Sequence, residues 1–276
     1  MKKLKTITLF TMILLIALMV MGCSNGAPTQ ESGKADVPSD AKDEAPAEEK
    51  TNYVMGLDDT FAPMGFRDEK GELVGFDIDL ANGAAEKMGV TIKFQPIDWS
   101  MKENELAAGN IDFIWNGYTI TDERLEKVAF SDTYLNNSQI IVVLADSKVE
   151  TKADLAGKNI AVQAESSALD AINAEPEFVE SVNELAEFST NNEAFMDVEA
   201  GRSDALVVDE VLARFYMKQN GQEKYKVLKE DFGDEGYAVG VRKSDDELLK
   251  KLNTALDEMK TDGTYDEIYA KWFSEN

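Results

Sequence analysis

Two stretches of this chain, NELAAGNIDFIW (104–115) and DVEAGRSDALVV (197–208), repeat one layout: a helix end, a glycine turn, an acidic residue and a buried strand. A supersecondary unit that recurs in this way predicts two similar lobes. Around the first copy, strand-like runs alternate with helical patterns: YVMGL (53–57), a helix over 77–88, TIKFQPI (91–97), a helix over 100–108, and IDFIW (111–115). In the first helix Ile78, Ala81, Ala85 and Met88 share one face, with Asp77 suited to the N-cap and Gly89 to the C-terminal stop. Alternation of this kind is the pattern of βαβ units on a largely parallel sheet, so an α/β fold is expected.

Around the second copy, QIIVVLA (139–145) leads through DLAGKNIAV (154–162) into a helix starting near Ser166. A strand FVESV (178–182), a helix over 191–199, a strand ALVVD (205–209) and a helix over 210–218 follow. The remaining strand YAVGV (237–241), the helix carrying Leu248, Leu252, Leu256 and Met259, and a last helix with Tyr265, Ile268, Tyr269, Trp272 and Phe273 need a sheet to cover. If they return to the first lobe, the chain crosses between lobes twice, near 136–138 and near 234–236. Two crossings make a hinge, and a hinge over a cleft suits closure around something small. The expected division is 51–136 and 237–276 in lobe one, with 137–236 in lobe two.

The N-terminus has a different character. Residues 1–22, MKKLKTITLFTMILLIALMVMG, read as an export signal, a positive region followed by an apolar run. The single cysteine, Cys23, follows a small residue at the end of that run, and Val20-Met21-Gly22-Cys23 resembles the lipobox of bacterial lipoproteins. Residues 6–22 also lie at the short limit for a retained membrane helix. Residues 23–50 hold almost no large apolar side chain and read as a disordered acidic tether. Either reading of the leader holds the folded part outside the cytoplasm, tied to a membrane through Cys23 or the apolar run. The formal charge of −25 becomes −28 once the three lysines of residues 1–22 are removed. That balance argues against nucleic acid as a partner.

Four segments together resemble the extracellular solute-binding proteins of polar amino-acid ABC importers, family 3, in lipoprotein form. They are DDTFAPMGFRDEKGELVGFDIDL (58–80), WNGYTITDERLEKVAFSDTYL (115–135), AVQAESSALDAI (161–172) and AGRSDALVVDEV (200–211). The resemblance implies a two-lobed periplasmic-binding-protein-like fold of type II, with two crossover hinge strands and the ligand in the interlobe cleft. It also implies a monomer that binds a free amino acid outside the cell, or in the periplasm where an outer membrane exists, and delivers it to an ABC permease. No cofactor, metal or catalysis is implied.

On the residues alone, Arg124 reads either as a surface partner of Glu123 or Glu126, or as a fork gripping an anion. The resemblance gives the arginine of its TxxR pattern the α-carboxylate of the ligand, through two parallel charge-assisted hydrogen bonds. Thr119 would add its hydroxyl and N–H, and Gly117 would leave a carbonyl free to approach the ammonium. Asp209 ends an apolar strand and reads as a cap for the next helix or, by the resemblance, as the ammonium's partner. Ser166 and Ser167, at a helix start, would complete the carboxylate site. Phe61 and Trp99 match the aromatic positions that sandwich the ligand's aliphatic part, and read otherwise as core rings. Trp115, Asn116 and Tyr118 are further candidates. Asp58 matches a position that contacts the distal positive group in relatives binding basic amino acids. Glu165 stands where the commoner pattern has glycine; it could narrow the cleft, meet a cationic or amide side chain, or point away. Asp58 and Glu165 favour a basic or neutral polar ligand over an acidic one.

Two other classes compete. A dehydratase-like enzyme on the same fold would have to work through carboxylates such as Glu165 or Asp209, because the chain has no histidine. A ligand-sensing subunit would need a separate signalling partner, because no second apolar span follows the first.

Overall fold

The computed structural model describes residues 50–274. The expected leader, tether and Cys23 lie outside the described residues, apart from Lys50. The chain runs β1 (Asn52–Leu57), β2 (Thr60–Phe61), β3 (Gly65–Arg67), β4 (Leu73–Val74), α1 (Phe76–Met88), β5 (Thr91–Pro96), α2 (Lys102–Ala108) and β6 (Phe113–Ile114). It continues through α3 (Asp122–Lys127), β7 (Ala129–Phe130), β8 (Leu135–Leu144), β9 (Asn159–Gln163), α4 (Ser167–Asn173), α5 (Pro176–Ser181), β10 (Glu184–Phe188) and α6 (Asn191–Glu199). It closes with β11 (Ala205–Asp209), α7 (Glu210–Asn220), β12 (Tyr225–Tyr237), β13 (Gly240–Val241), α8 (Asp246–Asp262) and α9 (Thr264–Phe273).

Two five-stranded sheets result, ordered β5-β1-β6-β13-β7 and β10-β9-β11-β8-β12, with a small β2-β3-β4 sheet beside the first. In the first, β1 runs parallel to both β5 and β6; in the second, β9 runs parallel to both β10 and β11. Strand β8 is apolar at successive positions because both faces are covered. Ile140 and Val142 belong to one core cluster, Ile141 and Val143 to another. Each such aliphatic side chain contributes roughly 1.5–3 kcal/mol when fully removed from water.

The last two helices return to the first sheet. Trp272 Nε1 and Lys271 Nζ reach Asp79 of α1 at 2.7 and 2.6 Å, and Phe273 packs on Phe76 with ring centroids 4.9 Å apart. The chain therefore passes between the sheets along β8 and β12, which pair antiparallel with Asn136 opposite Gly236 and Ser138 opposite Asp234.

Three local expectations are corrected. FVESV is not a strand: Pro176 occupies the first turn of α5, and Phe178 and Val182, one helical turn apart, pack into the second sheet's core. The strand lies further on, at β10. YAVGV is broken, with Tyr237 ending the long strand β12 and only Gly240–Val241 forming β13. Asp77 is not the N-cap of α1. Gly75 holds that position, and the Asp77 side chain turns into the interior.

Candidate binding site

The turn after β6 and the start of α3 build one end of the site. Thr121 caps α3 by accepting from Arg124 N at 3.2 Å, which fixes Arg124 in the first turn. The guanidinium lies 4.8 Å over the Tyr118 ring and donates to Thr119 O (3.0 Å) and Glu165 O (3.3 Å). It pairs neither with Glu123, which takes Lys127 at 2.6 Å, nor with Glu126; its carboxylate neighbours are Asp170 at 3.8 Å and Glu103 at 4.0 Å. A second buried cation joins it. Lys102 Nζ donates to the same Glu165 carbonyl at 2.9 Å, and burial, then the Arg124 charge, push its pKa below the usual lysine range.

Glu165 adopts φ +53°, the left-handed region that glycine enters freely. This chain thus keeps a glycine-like backbone with a glutamate, whose carbonyl faces both cations while the residue itself is exposed.

The other end is acidic. Asp209, at the end of β11, is buried and accepts from Asn137 Nδ2 (2.8 Å), Gln139 Nε2 (3.0 Å) and Tyr237 OH (2.5 Å). It does not cap α7: Val211 N is bonded by Asn137 Oδ1 instead, which leaves the carboxylate to the site. Glu235 of β12 shares both amides and also accepts from Thr119 Oγ1 at 2.9 Å. Burial foremost, then the Glu235 charge, raise the Asp209 pKa well above the carboxylate range.

Thr119 lies between the ends. Its carbonyl takes Arg124, and its hydroxyl sits 3.0 Å from Ser167 Oγ and 2.9 Å from Glu235. Ser166 caps α4, accepting from Leu169 N while donating to Gln163 O. Gly117, at φ +58°, faces the Phe61 ring so closely that a Cβ there would come 2.8 Å from Phe61 Cε1 and 3.1 Å from the Tyr237 ring. Only glycine satisfies both the torsion and the contact. Asp58 meets the second sheet directly, accepting from Gln163 Nε2 at 2.9 Å, and burial raises its pKa against the bonds from Thr60 and Gln163. Asn116 Oδ1 receives Asp58 N at 3.0 Å. Trp99 stacks edge-on against Tyr118 (5.9 Å), and Tyr118 OH donates to Glu103. Trp115 is fully buried beside Tyr134 and Phe113.

Asp77 anchors this floor from below, accepting from Gly117 N (2.8 Å) and Tyr134 OH (2.9 Å). Complete burial raises its pKa to about 7. Because the folded value exceeds the unfolded one, native Asp77 binds its proton more tightly than the unfolded chain does. Its contribution to stability is therefore full below about pH 4 and is lost as pH rises through about 7, by roughly 4 kcal/mol at most. Urea denaturation of wild type and Asp77→Asn across pH 4–8 should show wild type losing stability relative to the variant as pH rises. A difference independent of pH would refute the assignment.

The profile of the bacterial extracellular solute-binding proteins, family 3, matches residues 53–275. The chain belongs to this family. Like the other solute-binding proteins of the family it binds rather than catalyses, and its two-domain α/β fold is typical of periplasmic-binding proteins. This solute-binding protein is 32% identical to the ABC transporter glutamine-binding protein GlnH of Bacillus subtilis strain 168, over 98% of this chain and 96% of the relative. It is 35% identical to the lysine/arginine/ornithine-binding periplasmic protein of Escherichia coli K12, covering 80% and 87%. A crystal structure of an ABC uptake transporter substrate-binding protein from Streptococcus pneumoniae with bound histidine superposes with TM-score 0.79 at 44% identity, covering 82% of this chain and 93% of that one.

Several site residues escaped the sequence reading: Lys102, Asn137, Gln139, Gln163, Glu235 and Tyr237. One signal was available. Asn137 and Gln139 stand two apart in the polar run 136–139 that opens β8, so both point to one face, the buried one.

Proposed function

We propose that this solute-binding protein captures one free amino acid, basic or neutral rather than acidic in its side chain, and delivers it to an ABC permease. The observation carrying this reading is the polarity of the cleft. Two buried cations, Arg124 and Lys102, stand at one end with the more exposed Glu103 and Asp170 behind them, and two carboxylates, Asp209 and Glu235, stand at the other, with Thr119 between. An amino acid has the same separation of charge. In this reading Arg124, Thr119 and Ser167 hold the α-carboxylate, and Asp209 the α-ammonium. Phe61 and Trp99 flank the aliphatic part, with Asp58 toward the distal group. Relatives named for glutamine and for lysine, arginine and ornithine, and the neighbour with histidine bound, support a polar ligand without an acidic side chain.

The same proposal takes residues 51–136 with 237–276 and residues 137–236 as the two lobes of a type II binding protein, hinged along β8 and β12. Contacts such as Phe66 with Phe215 (5.6 Å) and Gln163 with Asp58 would then be made on closure. Export and lipidation at Cys23 complete it, and an N-terminal peptide of unmodified mass would refute that part.

The test is isothermal titration of the purified protein, unfolded and refolded to remove carried ligand, against the twenty amino acids, cystine and ornithine. Saturable one-to-one binding of one or a few polar members is expected. Silence from a folded sample, or preference for aspartate or glutamate, would overturn the reading.

A further inference from the structure

Asp209 does not stand alone. Glu235 reaches the same place from β12, and one amide nitrogen, Asn137 Nδ2, lies 2.8 Å from Asp209 Oδ1 and 2.7 Å from Glu235 Oε1. Gln139 Nε2 repeats this arrangement at 3.0 and 2.9 Å on the same two oxygens. The remaining partners are hydroxyls, Tyr237 to Asp209 and Thr119 to Glu235. Two acids thus converge on neutral donors. Like charges so close cannot both ionise cheaply without a cation between them. A separate feature points the same way. Gln139 Oε1, on the amide head that touches both carboxylates, is buried and has no hydrogen-bond partner among the described residues. It is a third acceptor in want of an N–H.

We propose that Asp209 and Glu235 form one two-carboxylate seat for the ligand's ammonium, in which the arriving –NH3+ displaces a proton shared between the acids, so that capture releases that proton to solvent. The proposal deepens the amino-acid reading and rests on it. Charge balances: one monocation leaves as H+ and another takes its place, so the seat keeps a single net negative charge with the free proton shared and with the ammonium bound. The ammonium then offers three donors to acceptors that include Gln139 Oε1.

The titratable groups around the seat come from few elements. Tyr237 of β12 faces Asp209, and Tyr134 lies beyond it with ring centroids 6.4 Å apart. Strand β8 and helix α4 contribute only the neutral Asn137, Gln139 and Ser167, and Arg124 is directed at the carbonyl side of Thr119. The direction of the Asp209 shift agrees with a held proton. Because the ligand binds the form that has lost it, affinity should rise with pH by up to about tenfold per unit over the range in which the free seat holds its proton.

The experiment is calorimetry with L-arginine, L-histidine and L-glutamine at pH 5, 6 and 7, each in phosphate and in a buffer of large ionisation enthalpy. For whichever ligand binds, the dependence of heat on buffer should reveal release approaching one proton. Glu235→Gln should abolish most of that release, and Glu235→Asp should restore it. Binding with buffer-independent heat in wild type overturns the shared proton while the amino-acid reading stands. So does undiminished release from Glu235→Gln, which would assign the proton to Asp209 alone. Failure of every amino acid in the wider panel to bind removes the reading and this inference together.

Discussion

Arg124→Ala should weaken ligand binding by about 2–5 kcal/mol, roughly 30- to 5,000-fold, because it strips a buried, hydrogen-bonded charge from its counterion. The geometry explains why no neighbour would compensate. The guanidinium is held over the Tyr118 ring and by two carbonyls, Thr119 O and Glu165 O, so its fork is oriented before the ligand arrives. Lys102 shares the Glu165 carbonyl, yet it is a point charge on a separate helix and lacks the paired, coplanar donors. Arg124→Lys should therefore recover only part of the loss. Calorimetric titration, with thermal unfolding to verify that both variants fold, makes the comparison. Unchanged affinity in the alanine variant would remove Arg124 from the site.

Asp209→Asn should produce a loss of similar size with an opposite effect on the free protein. The substitution removes the negative charge proposed to face the ammonium, again about 2–5 kcal/mol of binding. In the free protein it also removes a carboxylate whose burial is costly. An acid with a folded pKa above its unfolded value contributes less stability as pH rises through the interval between them. The variant should thus gain thermal stability over wild type at pH 8 compared with pH 5, while binding falls. A carboxylate that only braces Asn137, Gln139 and Tyr237 would behave differently, leaving affinity nearly intact. That pattern would return Asp209 to a purely structural role.

Much of this was legible in the chain. The repeated helix, glycine and strand layout reports backbone geometry directly: Gly109 and Gly201 both take positive φ just after their helices, at +77° and +69°. Apolar runs such as ALVVD announce burial on both faces wherever they are placed. TDER is similarly local, since Thr121 caps the helix three residues before Arg124 and so orients it.

FVESV misled because its β-branched and aromatic residues suit either state, and the decision came from Pro176 and from which face found a core. Asp77 misled because a helix-start aspartate is usually a cap, whereas here packing against Gly117 and Tyr134 claims it. Sequence by itself determined most of the elements and the α/β class, because caps, turns and periodicity act over a few residues, while the candidate ligand residues came from the resemblance of whole motifs to a family. Only tertiary structure decided that Lys102, Glu165 and Arg124 meet at one carbonyl, and that Asp209 and Glu235 share two amides. Those contacts join positions on separate elements of the chain. Their energies depend on burial and distance, which no local pattern encodes.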